Sequence, residues 1–254
     1  MKSLRKIISA LSLLALATPM TAQAITVDAA DRGWYRYNYS NSQIEANAGN
    51  LNYLAGLGLV SPNALGATRN YFAFDLSAYA GQTFSAATLS LYNPKAGDIN
   101  GSPTVGGFYQ TQAAANDAPY ETYELRQVST DIGNLLNATA GWTGFNDLGD
   151  GLIFGSYNAT LQDNGTFVEI VLNEIGLAAL NDAVGGMFVL GGRLSTANLA
   201  LGAQTLFGFS NQNNLADTRL ILTQAVSEPG SIALLLAGFG MISFVARRRK
   251  AAIQ

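Results

Sequence analysis

The sequence predicts an all-β protein whose main domain, residues Ile25–Ala225, is a single antiparallel β-sandwich with one short helix. Short runs in which apolar and polar residues alternate recur along this region, as expected of strands with one buried face. Turn-forming Gly, Asn, Asp and Pro bound these runs, and short strands at such spacing favour a sandwich. The chain contains no Cys, so the core must hold this domain together without disulfides.

Six alternating runs mark the clearest strands of this domain. They are Tyr71–Asp75, Ala87–Tyr92, Phe167–Leu172, Met187–Leu190, Leu206–Phe209 and Arg219–Thr223. Asp163-Asn164-Gly165 lies between Ala159–Gln162 and Phe167–Leu172, and turn residues between two such runs predict a β-hairpin. Asn173–Asn181 predicts the helix, because Asn173 can cap it and apolar residues recur along it at helical spacing.

Residues Met1–Ala24 have the three parts of a secretory signal peptide. The first part is a basic stretch that contains Lys2, Arg5 and Lys6. The apolar run Ile7–Ala17 follows and predicts an N-terminal signal helix. Ala22-Gln23-Ala24 fits the small-residue cleavage site, so we expect cleavage after Ala24 and a mature chain that begins at Ile25. The segment indicates export through the Sec pathway.

Residues Val226–Gln254 also have three parts in a fixed order. Ser227-Glu228-Pro229 comes near the start, the run Gly230–Ala246 has 17 residues without a charge, and a basic cluster follows. The cluster consists of Arg247, Arg248, Arg249 and Lys250. As a helix the uncharged run would span about 25 Å, which is somewhat less than the ~30 Å hydrocarbon core of a bilayer. It predicts a short transmembrane helix whose basic end stays in the cytoplasm.

This order of segments resembles the PEP-CTERM protein-sorting signals of exported bacterial proteins. In that family a membrane enzyme, exosortase, is thought to cut near a Pro-Glu-Pro motif, and Ser227 stands at the first Pro position in this chain. The resemblance implies exosortase as a partner and a precursor anchored in the inner membrane. It also implies a final place at the cell surface or outside the cell, in an exopolysaccharide matrix. A plain single-pass anchor is the alternative interpretation.

Setting the two basic ends aside changes the charge of the protein. Seven of the 14 Lys and Arg residues lie in those ends, whereas all 17 Asp and Glu residues lie between Ile25 and Glu228. The exported part therefore carries seven cations against 17 carboxylates, a net charge of −10. Such an acidic domain will not bind nucleic acid through counterion release, but it could attract Ca²⁺.

The chain also contains no His. This excludes Ser-His-Asp and Cys-His catalysis and His-based zinc sites, and it leaves carboxylates, hydroxyls and tyrosines for any chemistry. Glu121 and Glu124 flank Tyr123, but in a strand they would face opposite sides. That placement argues against a carboxylate pair for glycoside hydrolysis, which needs two carboxyl groups across one cleft.

A second resemblance covers the middle of the domain. Arg69–Ser77, followed by Ala86–Tyr92, is similar to a pattern found in jelly-roll, carbohydrate-binding-module-like domains of secreted bacterial proteins. In this pattern one strand ends at an Asp-Leu-Ser turn and the next begins after a loop, so we expect the side chain of Asp75 to cap the turn. The expected core residues are Phe72, Phe74, Leu76, Leu89 and Leu91.

Aromatic residues near the start of the domain form one candidate ligand site. They are Trp34, Tyr35, Tyr37 and Tyr39, with Trp142 and Phe145 farther along the chain. The three tyrosines alternate, so in a strand they would share one face, and Trp34 would point the other way into the core. That face could stack sugar rings. It could equally be a half-buried face of the sandwich, because aromatic residues are good strand formers.

A candidate calcium site lies at Asn146, Asp147 and Asp150, where two carboxylates and an amide occur within a Gly-containing segment that reads as a loop. Hard oxygen ligands suit Ca²⁺, and a structural Ca²⁺ is the one cofactor that the sequence indicates. Asp and Asn in loops also form Asx-turns without a metal, so both interpretations remain open.

These observations lead to two hypotheses of function. The first is a non-catalytic structural or adhesive protein of the cell surface or extracellular matrix that binds carbohydrate. The second is a secreted carbohydrate-active enzyme that uses carboxylate catalysis. The absence of His and Cys favours the first.

Overall fold

The computed structural model describes residues 24–47, 52–61, 64–95, 106–208 and 217–225. Within these ranges the chain forms two antiparallel sheets that share one apolar core, which confirms the predicted β-sandwich. The strands and helices described below lie between Ala24 and Gln224, a stretch that forms one unit by its internal contacts. The domain therefore contains its own core.

The small sheet carries both ends of the domain. Its strands, in order across the sheet, are β1 (Ala24–Asp28), β13 (Thr218–Gln224), β6 (Phe84–Asn93) and β10 (Thr166–Val171). β1 is antiparallel to β13, with Ala24 opposite Thr223. The chain thus enters and leaves the domain at neighbouring positions of the small sheet.

The large sheet is built around β5 (Ala64–Asp75), the longest strand in the described part of the chain. Its other strands are β2 (Asp31–Asn38), β3 (Gln43–Asn47), β4 (Ala55–Ser61), β7 (Gly107–Gln110), β8 (Glu121–Gln127), β9 (Ile153–Ala159), β11 (Met187–Leu194) and β12 (Gln204–Gly208). On one edge of β5 lie β2 and then β3. The other edge leads through β4 to β12 and β7, and through β11 to β8 and β9.

This second edge of β5 divides between two strands. β4 pairs with the first half of β5, up to Gly56 opposite Thr68, and β11 pairs with the second half, from Gly192 opposite Asn70. We call the gap between β4 and β11 the fork. Gly192 is required here because a Cβ atom would lie 1.8 Å from the Tyr123 hydroxyl, which donates a 2.6 Å hydrogen bond to Asn70.

The main core lies between the two sheets and contains side chains from both. The five residues predicted for it are all fully buried, which confirms the expectation: Phe72, Phe74, Leu76, Leu89 and Leu91. The predicted turn cap is confirmed too, because Oδ1 of Asp75 accepts a 2.9 Å hydrogen bond from the backbone N–H of Ser77. The hydrogen bonds from Ser77 lower the pKa of this carboxyl.

The prediction of one short helix is only partly right. The predicted helix is α4 (Glu174–Ala183), and Asn173 caps it by accepting a 2.9 Å hydrogen bond from the N–H of Gly176. The described residues also form α1 (Gln112–Asp117), α2 (Ile132–Leu136) and α3 (Gly141–Asp150). Short 3₁₀ turns lie at Ser77–Tyr79, Leu161–Asp163 and Leu199–Leu201.

Helices α2 and α3 cover part of the outer face of the large sheet. They form a second apolar cluster with β2, β5 and β11, made of Tyr35, Tyr71, Ala73, Leu135, Phe145, Leu148 and Val189. The large sheet is therefore buried on both faces in this region, with the small sheet on one side and the helices on the other.

The predicted hairpin at Asp163-Asn164-Gly165 is wrong. β9 pairs with β8 in the large sheet, whereas β10 pairs with β6 in the small sheet, so the segment between them crosses from one sheet to the other. Asn164 holds this crossing in place. Its Oδ1 accepts a 2.6 Å hydrogen bond from the N–H of Phe108, and its Nδ2 donates a 3.1 Å bond to the carbonyl of the same residue.

The predicted signal helix and the predicted transmembrane helix at Gly230–Ala246 lie outside the described residues. In the part of the chain that the structure does describe, none of the helices combines the length and the apolar character that a membrane span requires.

Candidate functional site

Tyr35 occupies the centre of the second apolar cluster, where helix α2 covers it. Its side chain is fully buried, its hydroxyl donates a 2.9 Å hydrogen bond to the carbonyl of Leu135, and burial raises the pKa of the phenol. Tyr35 and Tyr37 do share the outer face of β2, as the alternation predicts. Tyr35 is nevertheless part of the packed interior, so its ring offers no surface to a ligand.

Trp34 lies on the opposite face of β2, as predicted, but the indole is only half-buried and belongs to neither apolar cluster of the described residues. The guanidinium of Arg36, two residues along the same face, lies 4.3 Å from its ring centroid. Nε of Arg36 donates a 3.0 Å hydrogen bond to the Thr68 hydroxyl. The Trp34 ring is therefore covered by a cation rather than by the core.

Tyr37 and Tyr39 do form an exposed aromatic surface, together with Trp142 from helix α3. The ring centroids of Tyr37 and Tyr39 lie 4.9 Å apart, as do those of Tyr37 and Trp142. Tyr39 is 42% exposed and Trp142 is 50% exposed. We call these three side chains the aromatic patch. The interplanar angles of 74° and 42° make it a twisted surface rather than a flat one.

Helix α3 brings Trp142 to the patch because the helix is anchored at two buried positions. Phe145 and Leu148, three residues apart, lie on one side of the helix and pack on the large sheet. Trp142 precedes Phe145 by three residues, so its ring lies beside that of Phe145, with a centroid distance of 5.8 Å. The helix therefore fixes the indole at the edge of the covered area, half in solvent.

Three arginines lie on the same outer face, on adjacent strands of the large sheet: Arg69 on β5, Arg193 on β11 and Arg126 on β8. The guanidinium of Arg69 stacks 4.3 Å from the Phe145 ring centroid. Its Nη1 donates hydrogen bonds of 2.8 and 2.9 Å to the carbonyls of Phe145 and Asn146. Gly149 is needed for this approach, because a Cβ atom there would lie 2.5 Å from Cζ of Arg69.

Glu124 links the other two arginines. Its Oε2 accepts hydrogen bonds from Nε and Nη2 of Arg126 and from Nε of Arg193, the last at 3.2 Å. Burial opposes ionisation of this carboxyl, but the hydrogen bonds and charges of the two arginines outweigh it and hold the pKa of Glu124 below its usual value. Glu124 is therefore ionised at neutral pH.

A groove of about 210 Å³ opens at the fork, beside the aromatic patch. Among the residues that line it are Tyr39, Arg69, Arg193, Leu57, Ser195 and Ala197. We call it the fork groove. It exists because β4 and β11 separate from the same edge of β5, and it joins the aromatic patch through Tyr39.

A larger hollow of about 570 Å³ lies elsewhere on the large sheet. Its described lining includes Leu54, Leu59, Tyr109, Thr205 and Arg36. Arg36 is the one charged side chain in that described lining, and it already contacts Trp34, Thr68 and, at 3.9 Å, Glu45. The lining of the hollow is also proportionally more apolar than that of the fork groove.

The candidate calcium residues do not form a loop. Asn146, Asp147 and Asp150 lie in helix α3, so the prediction of a loop is wrong. Asp147 accepts 2.7 Å hydrogen bonds from the N–H and hydroxyl of Ser129 and from the N–H of Thr130. Asp150 faces Arg69 at 3.9 Å, and no group of three metal-binding side chains occurs among the described residues. Calcium at these residues stays a prediction.

The two carboxylates that flank Tyr123 lie on opposite faces of β8, as the spacing predicts. Glu121 is buried on the inner side, where it accepts hydrogen bonds from Nε2 of Gln110, at 2.6 Å, and from the Thr196 hydroxyl. Glu124 is on the outer side and pairs with the arginines. The two carboxyl groups therefore do not face one another across a cleft.

Of the predicted processing residues, Ala24 alone is described, and it begins β1 in this uncut chain. Ala22, the motif Ser227-Glu228-Pro229 and the basic residues Arg247–Lys250 lie outside the described residues.

Comparison with known protein families identifies the C-terminal segment. Residues 225–250 match the family model described as the PEP-CTERM protein-sorting motif. No curated protein matches the chain. The motif confirms the expected sorting signal, and it marks the chain as an exported protein that exosortase processes and that is sorted to the cell surface.

Proposed function

We propose that the β-sandwich is a non-catalytic carbohydrate-binding domain that attaches this exported protein to an exopolysaccharide matrix. The observation that carries the proposal is the aromatic patch of Tyr37, Tyr39 and Trp142, in which Tyr39 and Trp142 are exposed and the half-buried Tyr37 lies between them. Large aromatic side chains that cluster at a surface indicate an interaction site. Their setting beside polar groups of the fork groove suits a ligand with both apolar faces and hydroxyls.

The patch suits a sugar because of how its members are held. Phe145, which belongs to α3 and packs on the large sheet, lies against both Tyr37 and Trp142, with centroid distances of 6.5 and 5.8 Å. Binding then costs little conformational entropy in the protein, because the rings are already in place. Tyrosine and tryptophan also combine an apolar face with a hydrogen-bonding edge, and the C–H face and the hydroxyls of a sugar match those two parts.

The sorting signal supplies the setting for this function. In the proposed route the signal peptide Met1–Ala24 directs Sec export and is removed, and Gly230–Ala246 then holds the precursor in the inner membrane. Exosortase cuts near Ser227-Glu228-Pro229, while Arg247–Lys250 stays in the cytoplasm. Since β1 and β13 are neighbouring strands, the described part of the domain begins and ends on the small sheet, whereas the patch lies on the outer face of the large sheet.

The test is binding of the exported domain, Ile25–Ala225, to exopolysaccharide from the producing bacterium and to a panel of purified polysaccharides. We expect Trp142→Ala to weaken binding about tenfold or more, because it removes the most exposed ring of the patch. Tyr120→Ala is the matched control, since Tyr120 is an exposed aromatic residue (39%) outside the patch. Affinity electrophoresis or calorimetry would measure both variants.

Two results would contradict the proposal. One is the absence of binding to every polysaccharide tried. The other is release of reducing ends that a single Asp or Glu substitution abolishes, which would instead support a carbohydrate-active enzyme. Glu121 and Glu124 lie on opposite faces of β8, which supports the proposed non-catalytic function over the enzyme.

A further inference from the structure

The outer face of the large sheet concentrates positive charge in an otherwise acidic domain. Arg69, Arg126 and Arg193 lie there on adjacent strands, and the acidic groups in ion-pair contact with them are Glu124 and Asp150. Three positive charges thus meet two negative ones. Asp150 is a weak partner, because its carboxylate is 3.9 Å from Arg69 and its side chain is 66% exposed.

Arg193 keeps hydrogen-bonding capacity that the protein does not use. Its Nε donates to Glu124, whereas its two terminal nitrogens donate no hydrogen bond to any part of the chain that the structure describes. Arg126 differs, since Nε and Nη2 bind Glu124 and Nη1 donates a 2.8 Å bond to the carbonyl of Gly151. Arg193 is also 31% exposed, against 12% for Arg126. Its free donors therefore face solvent at the fork groove, which it lines.

The fork groove places a second guanidinium near these donors. Arg69 lines the same groove, and only its Nη1 is used by the described residues, in bonds to two carbonyls of α3. Burial lowers the pKa of the Arg69 guanidinium, and the neighbouring charge of Arg193 acts in the same direction. Two cations held close together repel one another, and an anion between them would relieve that repulsion.

Tyr39 connects this basic groove to the aromatic patch. It lines the groove with Arg69 and Arg193, and its ring contacts Tyr37, which in turn contacts Trp142. A glycan whose sugar ring stacks on the patch would therefore place a neighbouring substituent at the arginines. Arginine forms two parallel hydrogen bonds with a planar carboxylate and is the preferred residue for that contact.

We propose that the fork groove binds the carboxylate of an acidic sugar, so that the ligand of this domain is a polysaccharide built from carboxylated units such as uronic acids. This rests on the proposed function, since the aromatic patch supplies the stacking surface. Arg193 provides the free donors, Arg69 adds the second positive charge, and the patch holds the adjoining sugar ring. The net charge of −10 on residues 25–228 opposes non-specific attraction of such a polyanion, so this local site must provide the contact.

The experiment uses the exported domain and pairs of polymers that differ only in charge. Polygalacturonate, alginate and the acidic exopolysaccharide of the producing bacterium are each compared with their carboxyl-reduced, neutral forms at fixed ionic strength. We expect about tenfold or more tighter binding to the carboxylated form of the polymer that the domain recognises. We also expect this preference to weaken as salt is raised, because the contact is partly exposed.

Arg193→Gln should abolish the preference for the carboxylated polymer, because it removes the guanidinium whose terminal nitrogens are the free donors of the fork groove. Arg219→Gln is the matched control: it removes the same charge from the small sheet, where Arg219 lies over Phe167, and should keep the preference. Thermal unfolding of both variants confirms that they are folded.

The outcomes separate this inference from the proposed function. Equal binding to carboxylated and reduced polymers would overturn the inference and leave carbohydrate binding intact. A preference that survives Arg193→Gln would remove the fork groove as its origin. A sulfated polymer, tested beside these pairs at the same ionic strength, would contradict the carboxylate assignment if it bound more tightly than the carboxylated polymers. Binding to no polymer at all would overturn both proposals.

Discussion

The two sheets share one core but differ in what covers their outer faces. On the small sheet buried Leu220 and Leu222 alternate with the partly exposed Arg219 and Ile221, and nothing described packs over that outer face. On the large sheet Tyr71, Phe72, Ala73 and Phe74 are all buried, because the small sheet covers one side and α2 and α3 cover the other. A strand therefore alternates only where one of its faces remains in solvent.

This difference between the sheets explains which strands and buried residues could be predicted from the sequence. The alternating runs in β6, β10 and β13 predicted three strands that belong to the small sheet, and the two core residues predicted in β6, Leu89 and Leu91, are buried. The Tyr71–Asp75 run was also predicted as a strand. Its alternating pattern suggested one buried face, but Tyr71–Phe74 are buried on both faces of the strand. Tyr35 shows the same effect: the sequence left open whether its face was exposed or half-buried, and helices that the sequence did not reveal cover it.

Helix α3 was missed because its sequence carries the residues of a turn. Gly141, Gly144 and Gly149 lower its intrinsic helix propensity, and Asn146 with Asp147 resembles a loop. Tertiary contacts override this preference, since Phe145 and Leu148 are buried on the sheet and Gly149 allows the close approach of Arg69. The recurrence of Trp142, Phe145 and Leu148 every three residues was the one available signal.

The candidate site could be predicted only in part. Tyr37, on β2, and Tyr39, just after it, were found through their alternation in the sequence, whereas Trp142 joins them only through the packing of α3. The fork groove had no sequence signal at all, because it depends on how two strands distant in the chain divide one edge of β5. Pairing between distant strands is a property of the fold and not of any local pattern.

The largest expected effect comes from breaking the helical layer that distinguishes the large sheet. Leu148 is fully buried between α3 and the sheet, so Leu148→Ala should lower the free energy of unfolding by about 2–4 kcal/mol. Urea-induced unfolding would measure it. Leu152→Ala is the control, because Leu152 is 54% exposed and should change stability by less than about 0.5 kcal/mol. Equal effects of the two variants would mean that α3 does not pack as described.

A smaller effect is expected from loosening the same layer at its polar contact. Asp147→Asn removes the charge that accepts hydrogen bonds from Ser129 and Thr130, and after allowing for solvent screening we expect a loss of about 1 kcal/mol. Asp182→Asn is the control. Asp182 is exposed, and its carboxylate accepts no hydrogen bond from the described residues. A chemical denaturation series at neutral pH would distinguish the two variants.

The pH dependence of Asp147 has a definite sign. Burial opposes its ionisation, but the hydrogen bonds from Ser129 and Thr130 dominate and lower its pKa in the folded state. Its contribution to stability is therefore present above the unfolded-state pKa of about 3.9 and is lost as the pH falls through the lower folded-state value. Asp147→Asn should accordingly be destabilised at pH 7 and approach the wild type in acid. A constant difference across that range would contradict this role.

The most direct test of the central claim is to map which sheet a glycan touches. Backbone amide NMR shifts of the exported domain would be followed during titration with the acidic polysaccharide, used as short oligosaccharides. We expect shifts at the end of β2, the start of α3 and the fork between β4 and β11, with β1, β6, β10 and β13 unchanged. Shifts confined to the small sheet, or to the hollow near Leu54 and Tyr109, would contradict it.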